Sequence, residues 1–314
     1  MSQGKDLLDK LARKGISRRD FMKYCGALTA TLGLSSAYVP KVAAAIKKAP
    51  RLPVVWLTMA ECSGCIEATL RTTYPWIDTL LLDIVSMDYL DMIMAPSGQA
   101  AEKSLHDSVL RNTGKFVLVV EGAIPTGANG NFGTMGGGKT MVEVIKDVGP
   151  KAAAIIAIGT CSSYGGLPAA SPNPTQAKSV SEVTGLQTIN VPGCPPNPIN
   201  FVGTIVNYLL FGKMPALDDK RRPLFAYGQI IHDQCPRRAH FDAHEFVTNF
   251  NSEEARKGFC LYQMGCKGPQ THNNCAKVLF NEGTNWPVGA GHPCIGCSEP
   301  DFWDKEAPFF NPIS

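Results

Sequence analysis

The sequence predicts an α/β protein in which a parallel sheet with helices on both faces is followed by an irregular, cysteine-rich region. Two observations predict the sheet. Apolar runs of strand length recur before about residue 215, and helical patterns separate several of them. The third observation is that periodicity is lost after residue 215 while cysteine density rises. Such a region is ordered more readily around metal than by a large apolar core.

Five apolar runs are expected to be strands, and three helical patterns are expected to be helices. The strand runs are PVVWLTM (53–59), TLLLDIV (79–85), KFVLVVEG (115–122), AAAIIAIG (152–159) and QTINV (187–191). The helical patterns are SGQAAEKSLHDSVLRN, TMVEVIKDV and INFVGTIVNYLLF.

The first 45 residues are expected to be a targeting segment outside this fold. Arg18 and Arg19 stand in SRRDFMK, a diluted apolar stretch follows, and Ala43 and Ala45 have the spacing of an A-x-A cleavage site. The stretch is too short and too weakly apolar to span a bilayer. This order predicts a twin-arginine signal, which exports folded proteins. The alternative is a surface helix that happens to contain an arginine pair.

The net charge of the chain gives no indication of nucleic acid as a partner. Of the 314 residues, 1–45 carry eight Lys/Arg and three Asp/Glu, so the predicted signal has a net charge of +5 and is the source of the positive charge in the formal total of +3. The remainder has 22 basic and 24 acidic residues, a net charge of −2. It shows no basic patch with interleaved aromatics.

The C-terminal APFFNPIS shows no membrane anchor, so we expect a soluble exported protein.

Four cysteines are expected to meet at one edge of the sheet. Cys62, Cys161 and Cys194 each follow a predicted strand within three residues, and Cys65 lies one short turn beyond Cys62. Ligands of open α/β sheets bind beyond the carboxyl ends of the strands. Gly and Pro surround these thiols in CSGC, GTCSSYGG and PGCPPNP, which favours tight turns close to a cofactor.

Ten cysteines remain after Cys25, which lies in the predicted signal. Five disulfides would suit an oxidising compartment, but mainly in a small stapled scaffold. Two C-x-x-C pairs could bind zinc, which leaves six thiols without a role. Iron–sulfur clusters fit the grouping best, with one [4Fe–4S] cluster on the first four cysteines. The other six form two groups: Cys235, Cys260 and Cys266, and then Cys275, Cys294 and Cys297.

The group that begins at Cys235 needs a fourth ligand, and two histidines are candidates. His232 stands three residues before Cys235, and His272 stands three residues before Cys275. Histidine can replace cysteine as a cluster ligand and shifts the reduction potential. Spacing alone does not choose between them.

A glycine-rich segment suggests a different chemistry. GTMGGGKT (133–140) matches the phosphate-loop pattern, with Lys139 for phosphates and Thr140 for magnesium. A phosphate loop follows its strand directly, whereas AIPTGANGNF intervenes here. The segment is therefore interpreted as a surface loop, and a nucleotide-dependent iron–sulfur protein is kept as the alternative function.

The motifs together resemble those of the small subunit of [NiFe] hydrogenases, over nearly the whole chain after the signal. In family order they are AECSGC, VVEGAIPT, IGTCSSYGG, PGCPPNP, HDQCPR, GCKGP, NNC, NWPV and HPCIGCSEPDFW. The resemblance implies a signal over 1–45, a flavodoxin-like domain over 46–215 and a cluster-binding domain over 216–314. It also implies a heterodimeric hydrogenase of the cytochrome-c3 type, in which this chain transfers electrons and the large subunit holds the nickel–iron site.

The resemblance further implies three clusters and their ligands. Where members with a medial [4Fe–4S] cluster have cysteine, this chain has Pro287, which implies [3Fe–4S]. Where oxygen-tolerant members have extra cysteines, it has Gly64 and Gly166, which implies a standard proximal cluster and oxygen-sensitive catalysis. The implied ligands are Cys62, Cys65, Cys161 and Cys194 for the proximal [4Fe–4S]; His232, Cys235, Cys260 and Cys266 for the distal [4Fe–4S]; and Cys275, Cys294 and Cys297 for the medial [3Fe–4S].

Location and partners complete what the resemblance implies. The large subunit would be exported with this chain on its single signal, and the enzyme would be soluble and periplasmic. The electron partner would be a multihaem c-type cytochrome of the cytochrome c3 class. Glu61, next to Cys62, is a candidate for a proton path, and a purely structural carboxylate is the alternative.

Overall fold

A five-stranded parallel sheet forms the centre of the first part of the chain. The computed structural model describes residues 17–48, 51–72, 77–281 and 283–313, together with residues 9 and 12. The strands of the sheet are β1 Leu52–Thr58, β2 Val85–Leu90, β3 Val117–Glu121, β5 Ala154–Ile158 and β7 Ile189–Val191, and a separate antiparallel ribbon pairs β4 Ile124–Pro125 with β6 Ala177–Lys178. The sheet has the strand order β2-β1-β3-β5-β7, which is the flavodoxin-like order.

Helices cover both faces of the sheet, which confirms the predicted α/β class. Val54 and Trp56 of β1 pack on one face and Val55 and Leu57 on the other, and all four are buried. Burial on both faces explains why the strands read as continuous apolar runs. The helices are α1 Arg18–Thr31, α2 Val39–Lys48, α3 Gly64–Leu70, α4 Ile77–Thr79, α5 Gly98–Arg111, α6 Met141–Val148, α7 Gly159–Tyr164, α8 Val180–Thr184, α9 Pro198–Phe211, α10 Leu224–Tyr227, α11 Arg238–Asp242, α12 Glu253–Lys257, α13 Cys275–Val278 and α14 Phe302–Lys305.

The predicted strand over 79–85 is wrong, whereas the other four strands and the three helices are confirmed. The segment Leu80–Ile84 is a π-helical turn that continues α4, and β2 begins only at Val85. Leu80 and Ile84 are four residues apart and both buried, which is the spacing of a helix. Periodicity cannot separate a short buried helix from a short buried strand. The packing of this apolar run against β1 and β2 decided the outcome.

The C-terminal region has little regular structure. From residue 212 onward, the described part of the chain contains helices of only three to five residues and isolated bridges. Its small core combines apolar side chains such as Val247, Leu261 and Trp286 with the thiols of Cys275 and Cys294. Cysteines thus replace part of the apolar core, as expected for a region ordered around metal.

A buried ionic network joins the beginning of this region to its later segments. The Arg222 guanidinium is 2% exposed and donates to Asp218 Oδ2 at 2.7 Å and to Glu299 Oε1 at 2.8 Å. The backbone amide of His272 also donates to Glu299 Oε1, at 2.7 Å. Burial raises the pKa of Glu299, but hydrogen bonds from Lys220 and His272 and the charge of Arg222 bring it below its usual value. The ion pair between Arg222 and Glu299 therefore anchors the segment that follows Cys297.

The N-terminal segment packs on the sheet domain where the structure describes it. Of the predicted signal, residues 1–8, 10–11 and 13–16 lie outside the described residues. Helices α1 and α2 contact each other and both contact α9. In the described ranges, no helix has both the length and the apolar character that a membrane span requires.

Candidate metal centres

Four thiols meet beyond the carboxyl ends of β1, β5 and β7, as the sequence predicts. Burial, the Glu121 carboxylate and the Cys161, Cys194 and Cys62 thiols all raise the pKa of the Cys65 thiol. Such a site disfavours thiolates unless positive charge is supplied. Iron supplies that charge and would bind the deprotonated sulfurs, so the donor set fits a cluster.

A glycine and a threonine after β5 let the cysteine-bearing loops that follow β1, β5 and β7 approach each other. Gly159, at φ +82°, begins α7, and a Cβ built on it would lie 2.5 Å from the Cys65 sulfur. The Thr160 hydroxyl accepts a hydrogen bond from the Gly193 amide at 2.9 Å and donates to the Cys297 carbonyl. One threonine therefore connects the loops after β5 and β7 with the C-terminal region.

A second group of thiols lines a cavity of about 810 Å³ at the same edge of the sheet domain. Cys275, Cys294 and Cys297 line this cavity together with Pro287. Cys297 lies near both other thiols, and burial raises its pKa to about 11. Pro287 has no side-chain donor atom, so this group offers three thiols and no fourth ligand from that position.

A third group surrounds a smaller cavity. His232 lines it together with Cys235, Cys260 and Cys266. Burial and the Arg238 charge lower the pKa of His232, which favours the neutral imidazole that binds metals. The ring packs edge-on against Phe241, with the two ring centroids 4.5 Å apart.

The second candidate histidine has a different environment. His272 Nδ1 lies 3.2 Å from Glu299 Oε1, within the buried ionic network. Ile230, two residues before His232, forms an isolated antiparallel β-bridge with His272. The two histidines therefore lie on neighbouring segments, although their rings have different partners. Of the two, His232 is the one that lines the cavity with Cys235, Cys260 and Cys266.

The three groups form one continuous series. Cys194 lines the same cavity as Cys275, Cys294 and Cys297, and it lies close enough to affect the pKa of the Cys297 thiol, which places the first group beside the second. The Cys294 amide donates to the Cys266 sulfur at 3.4 Å, which joins the second group to the third. The group containing Cys275 therefore lies between the other two.

The geometry of these cysteines does not favour disulfides or a zinc site. None of the ten cysteines after Cys25, all of which are described, forms a disulfide. Within the described ranges, no three His, Cys, Asp or Glu side chains are arranged to bind a single metal ion such as zinc. A cluster makes a different demand, because each thiolate binds a separate iron of the cubane.

Comparisons with known proteins identify the family. A family model for the C-terminal part of the small subunit of NiFe/NiFeSe hydrogenases matches residues 227–310, and one described as the NADH ubiquinone oxidoreductase 20 Kd subunit matches residues 62–208. The chain is 56% identical to the periplasmic [NiFe] hydrogenase small subunit of Solidesulfovibrio fructosivorans, over 98% of this chain and 97% of that one. This chain belongs to the small-subunit family of [NiFe] hydrogenases.

Two further comparisons agree with this membership. The periplasmic [NiFe] hydrogenase small subunit 1 of Nitratidesulfovibrio vulgaris is 53% identical, over 96% of this chain and 95% of that one. The [NiFeSe] hydrogenase structure from Desulfomicrobium baculatum matches with a TM-score of 0.79 at 38% identity, over 84% of this chain and 100% of that one. The family implies iron–sulfur clusters and a heterodimer with a large subunit that together form a hydrogenase.

The glycine-rich loop of this hydrogenase small subunit is not built to hold phosphate. The Thr140 hydroxyl caps α6 by accepting from the Glu143 amide at 3.1 Å, and the Glu143 carboxylate accepts from the Thr140 amide at 2.7 Å. The strand β3 ends at Glu121, well before the loop. The nucleotide-dependent alternative is therefore not favoured.

Glu61 lies in the loop between β1 and α3. Its carboxylate accepts a hydrogen bond from the Ser63 amide. Burial and the nearby Asp91 carboxylate raise its pKa, against the lowering effect of the Ser63 bond. The proposed proton path through Glu61 stays a prediction.

Sequence reasoning missed Glu121, which lies beneath the same loop. Glu121 is 1% exposed and accepts from the Cys65 amide at 3.0 Å, the Ile66 amide at 3.2 Å and the Trp56 indole at 3.2 Å. Burial raises its pKa to about 7. The available signal was an acidic residue at the end of an otherwise apolar strand, VLVVE, where a buried charge needs a function or partners.

The substitution Glu121→Ala is expected to destabilise the loop that carries Cys65. It leaves two backbone amides and an indole N–H buried without acceptors, at about 1–3 kcal/mol for each. We expect a lower midpoint of thermal unfolding and loss of iron from the first group. Glu121→Gln keeps an acceptor oxygen and nearly the same volume, so its loss should be smaller. Equal iron content in wild type and Glu121→Ala would contradict this role.

The substitution Gly166→Ala is expected to displace Cys161. Gly166 has φ +61° and ψ −159°, a conformation restricted to glycine, and a Cβ there would lie 2.6 Å from both Cα and Sγ of Cys161. The matched control is Gly185→Ala, because Gly185 has φ +69° but open space around its Cβ position. The control should lose only about 1–2 kcal/mol of stability. Iron analysis should show cluster loss in Gly166→Ala alone, and full iron in that variant would contradict the prediction.

Proposed function

We propose that this protein transfers electrons between the nickel–iron site of the large subunit and a multihaem c-type cytochrome of the cytochrome c3 class. The observation that supports this most is the continuous series of three ligand groups. The groups offer four, three and four ligands. In order along the series they are Cys62, Cys65, Cys161 and Cys194; then Cys275, Cys294 and Cys297; then His232, Cys235, Cys260 and Cys266.

We propose a [4Fe–4S] cluster on the first group, [3Fe–4S] on the middle group and [4Fe–4S] on the last. When bound, these clusters exchange single electrons at potentials set by cluster type, charge, hydrogen bonds to sulfur and exposure. Pro287 supports the three-iron assignment, because it stands at the middle group without a donor atom. His232 supports an exit at the last group, since neutral imidazole adds less negative charge than a thiolate.

The chain's own residues position and insulate the series. The Cys294 amide donates to the Cys266 sulfur, and the Gly296 amide donates to the Cys294 sulfur at 3.5 Å. Hydrogen bonds of this kind raise cluster potentials by stabilising negative charge on sulfur. Cys275 and Cys294 of the middle group and Cys260 of the last group are buried, which limits the exposure of these sulfurs to water.

We propose that the protein acts in the periplasm after twin-arginine export of the folded heterodimer. Two of the relatives are named periplasmic. Arg18 and Arg19 begin α1 and are exposed, as a pair read by an export receptor must be. We keep 1–45 as the signal, 46–215 as the flavodoxin-like domain and 216–314 as the cluster-binding domain.

Low-temperature EPR on the air-oxidised heterodimer, with an iron count on the same sample, tests the cluster assignment. Oxidised [4Fe–4S] clusters of this type are diamagnetic, whereas oxidised [3Fe–4S] carries an unpaired spin. We expect a near-isotropic signal of about one spin per heterodimer and iron for three clusters. Iron for three clusters without that signal would contradict the three-iron assignment, and iron-free protein would contradict the electron-transfer function.

A further inference from the structure

Residues 17–48 fold onto the sheet domain as two packed helices. Helix α1 begins with a capping box between Ser17 and Asp20, which orders its first turn. Its buried side chains recur at helical spacing and form one apolar face, whereas Lys23, Ala27 and Ala30 are exposed. The buried face consists of Phe21, Tyr24, Cys25, Leu28 and Leu32, and it shares one core with Phe201, Val202, Ile205 and Val206 of α9.

Helix α9 has apolar side chains on two sides, so both sides need to pack against other parts of the protein. The Phe201 ring packs edge-on against Trp56 of the sheet, with centroids 5.4 Å apart. Gly203 lies against Phe225 and the end of the N-terminal helix α1, since a Cβ there would lie 3.1 Å from Phe225 Cζ and 3.7 Å from Leu32 Cδ2. A helix that is apolar all round is normally buried. Helices α1 and α2 supply the second cover in this chain.

The two recognition features of the predicted signal differ in accessibility. Arg18 and Arg19 are exposed at the start of α1. The A-x-A sequence at Ala43 and Ala45 lies within α2, where Ala43 is 5% exposed and its neighbour Val42 is fully buried. Proteases cleave the opened form of such a segment, so the rate depends on how often it opens.

We propose that residues 17–48 dock on α9 in the uncleaved chain, and that docking presents the arginine pair while it protects the A-x-A site. The docking partner is the folded sheet domain of the same chain. Cleavage then requires release of α1 and α2 from α9. This inference rests on the proposed export function for the biological meaning of the A-x-A site, whereas the docking itself does not.

The test uses the uncleaved heterodimer, retained in the cytoplasm by Arg18→Lys with Arg19→Lys and then purified. Purified signal peptidase is added in detergent, and cleavage is followed by mass spectrometry. Leu28→Asp places a charge in the buried face and should increase the cleavage rate by about tenfold or more, because the docked form opens more often. Ala27→Asp adds the same charge to the exposed face of the same helix, and its rate should stay within about twofold of the parent.

Hydrogen exchange on the same samples gives a second measurement. The amides of α1 and α2 should exchange slowly in the parent and in Ala27→Asp, and fast in Leu28→Asp. Equal cleavage rates for the parent and Leu28→Asp, or exchange in the parent as fast as in an isolated 17–48 peptide, would overturn the proposal. Iron content checks that the body of each variant is intact. Failed export or electron transfer would leave these purified-protein results unchanged, so the two proposals are tested separately.

Discussion

Pro287→Cys is expected to abolish the near-isotropic EPR signal of the oxidised protein and to add one iron per heterodimer. Pro287 lines the same cavity as Cys275, Cys294 and Cys297, so a thiol at 287 completes a set of four. A fourth thiolate can hold the iron that [3Fe–4S] lacks, and the change of cluster type lowers the potential of the middle group. The measurement is EPR with an iron count, followed by a redox titration.

Pro287→Ala is the matched control for this substitution. It removes the proline ring without adding a donor atom, so the signal of about one spin should remain. Loss of the signal in both variants would show that the proline ring, and not the missing ligand, sets the cluster type. An unchanged signal and iron count in Pro287→Cys would contradict the three-thiol assignment.

His232→Ala is expected to slow the hydrogen-driven reduction of a multihaem c-type cytochrome by about 100-fold. Loss of a residue that only supports a metal ligand already costs about 10–100-fold in metal affinity or activity, and loss of a ligand itself should cost no less. His232 shares its cavity with Cys235, Cys260 and Cys266, so its loss opens the last group of the series. Isotope exchange between D2 and water at the nickel–iron site needs no electron exit and should persist. Comparing the two activities separates lost electron transfer from lost catalysis.

His272→Ala is the control, because it removes the same residue type at the same spacing from a cysteine. The His272 ring contacts Glu299, so the variant loses a hydrogen bond to the buried ionic network. We expect retained iron at the last group and cytochrome reduction within about threefold of wild type. If instead His272→Ala lost the cluster and His232→Ala kept it, the ligand assignment would be reversed.

The sheet and the first ligand group could be predicted because both depend on local patterns. Apolar runs of strand length identified four of the five strands of the sheet. Topology then brings the carboxyl ends of parallel strands together, so Cys62, Cys161 and Cys194 had to meet at one edge. The run over 79–85 failed because a short apolar segment fits a helix or a strand equally well, and its neighbours chose.

The amino-acid sequence alone established three features: the number and spacing of ten cysteines, the alternation of strands and helices, and the arginine pair. Each of these is a short-range property of the chain. Tertiary structure decided which groups became neighbours. It put the His232 ring beside three thiols and the His272 ring beside Glu299, and it placed Glu121 beneath the loop of Cys65. It also packed residues 17–48 against α9. These contacts join residues far apart in sequence, and their energies depend on burial and on partners that no local pattern encodes.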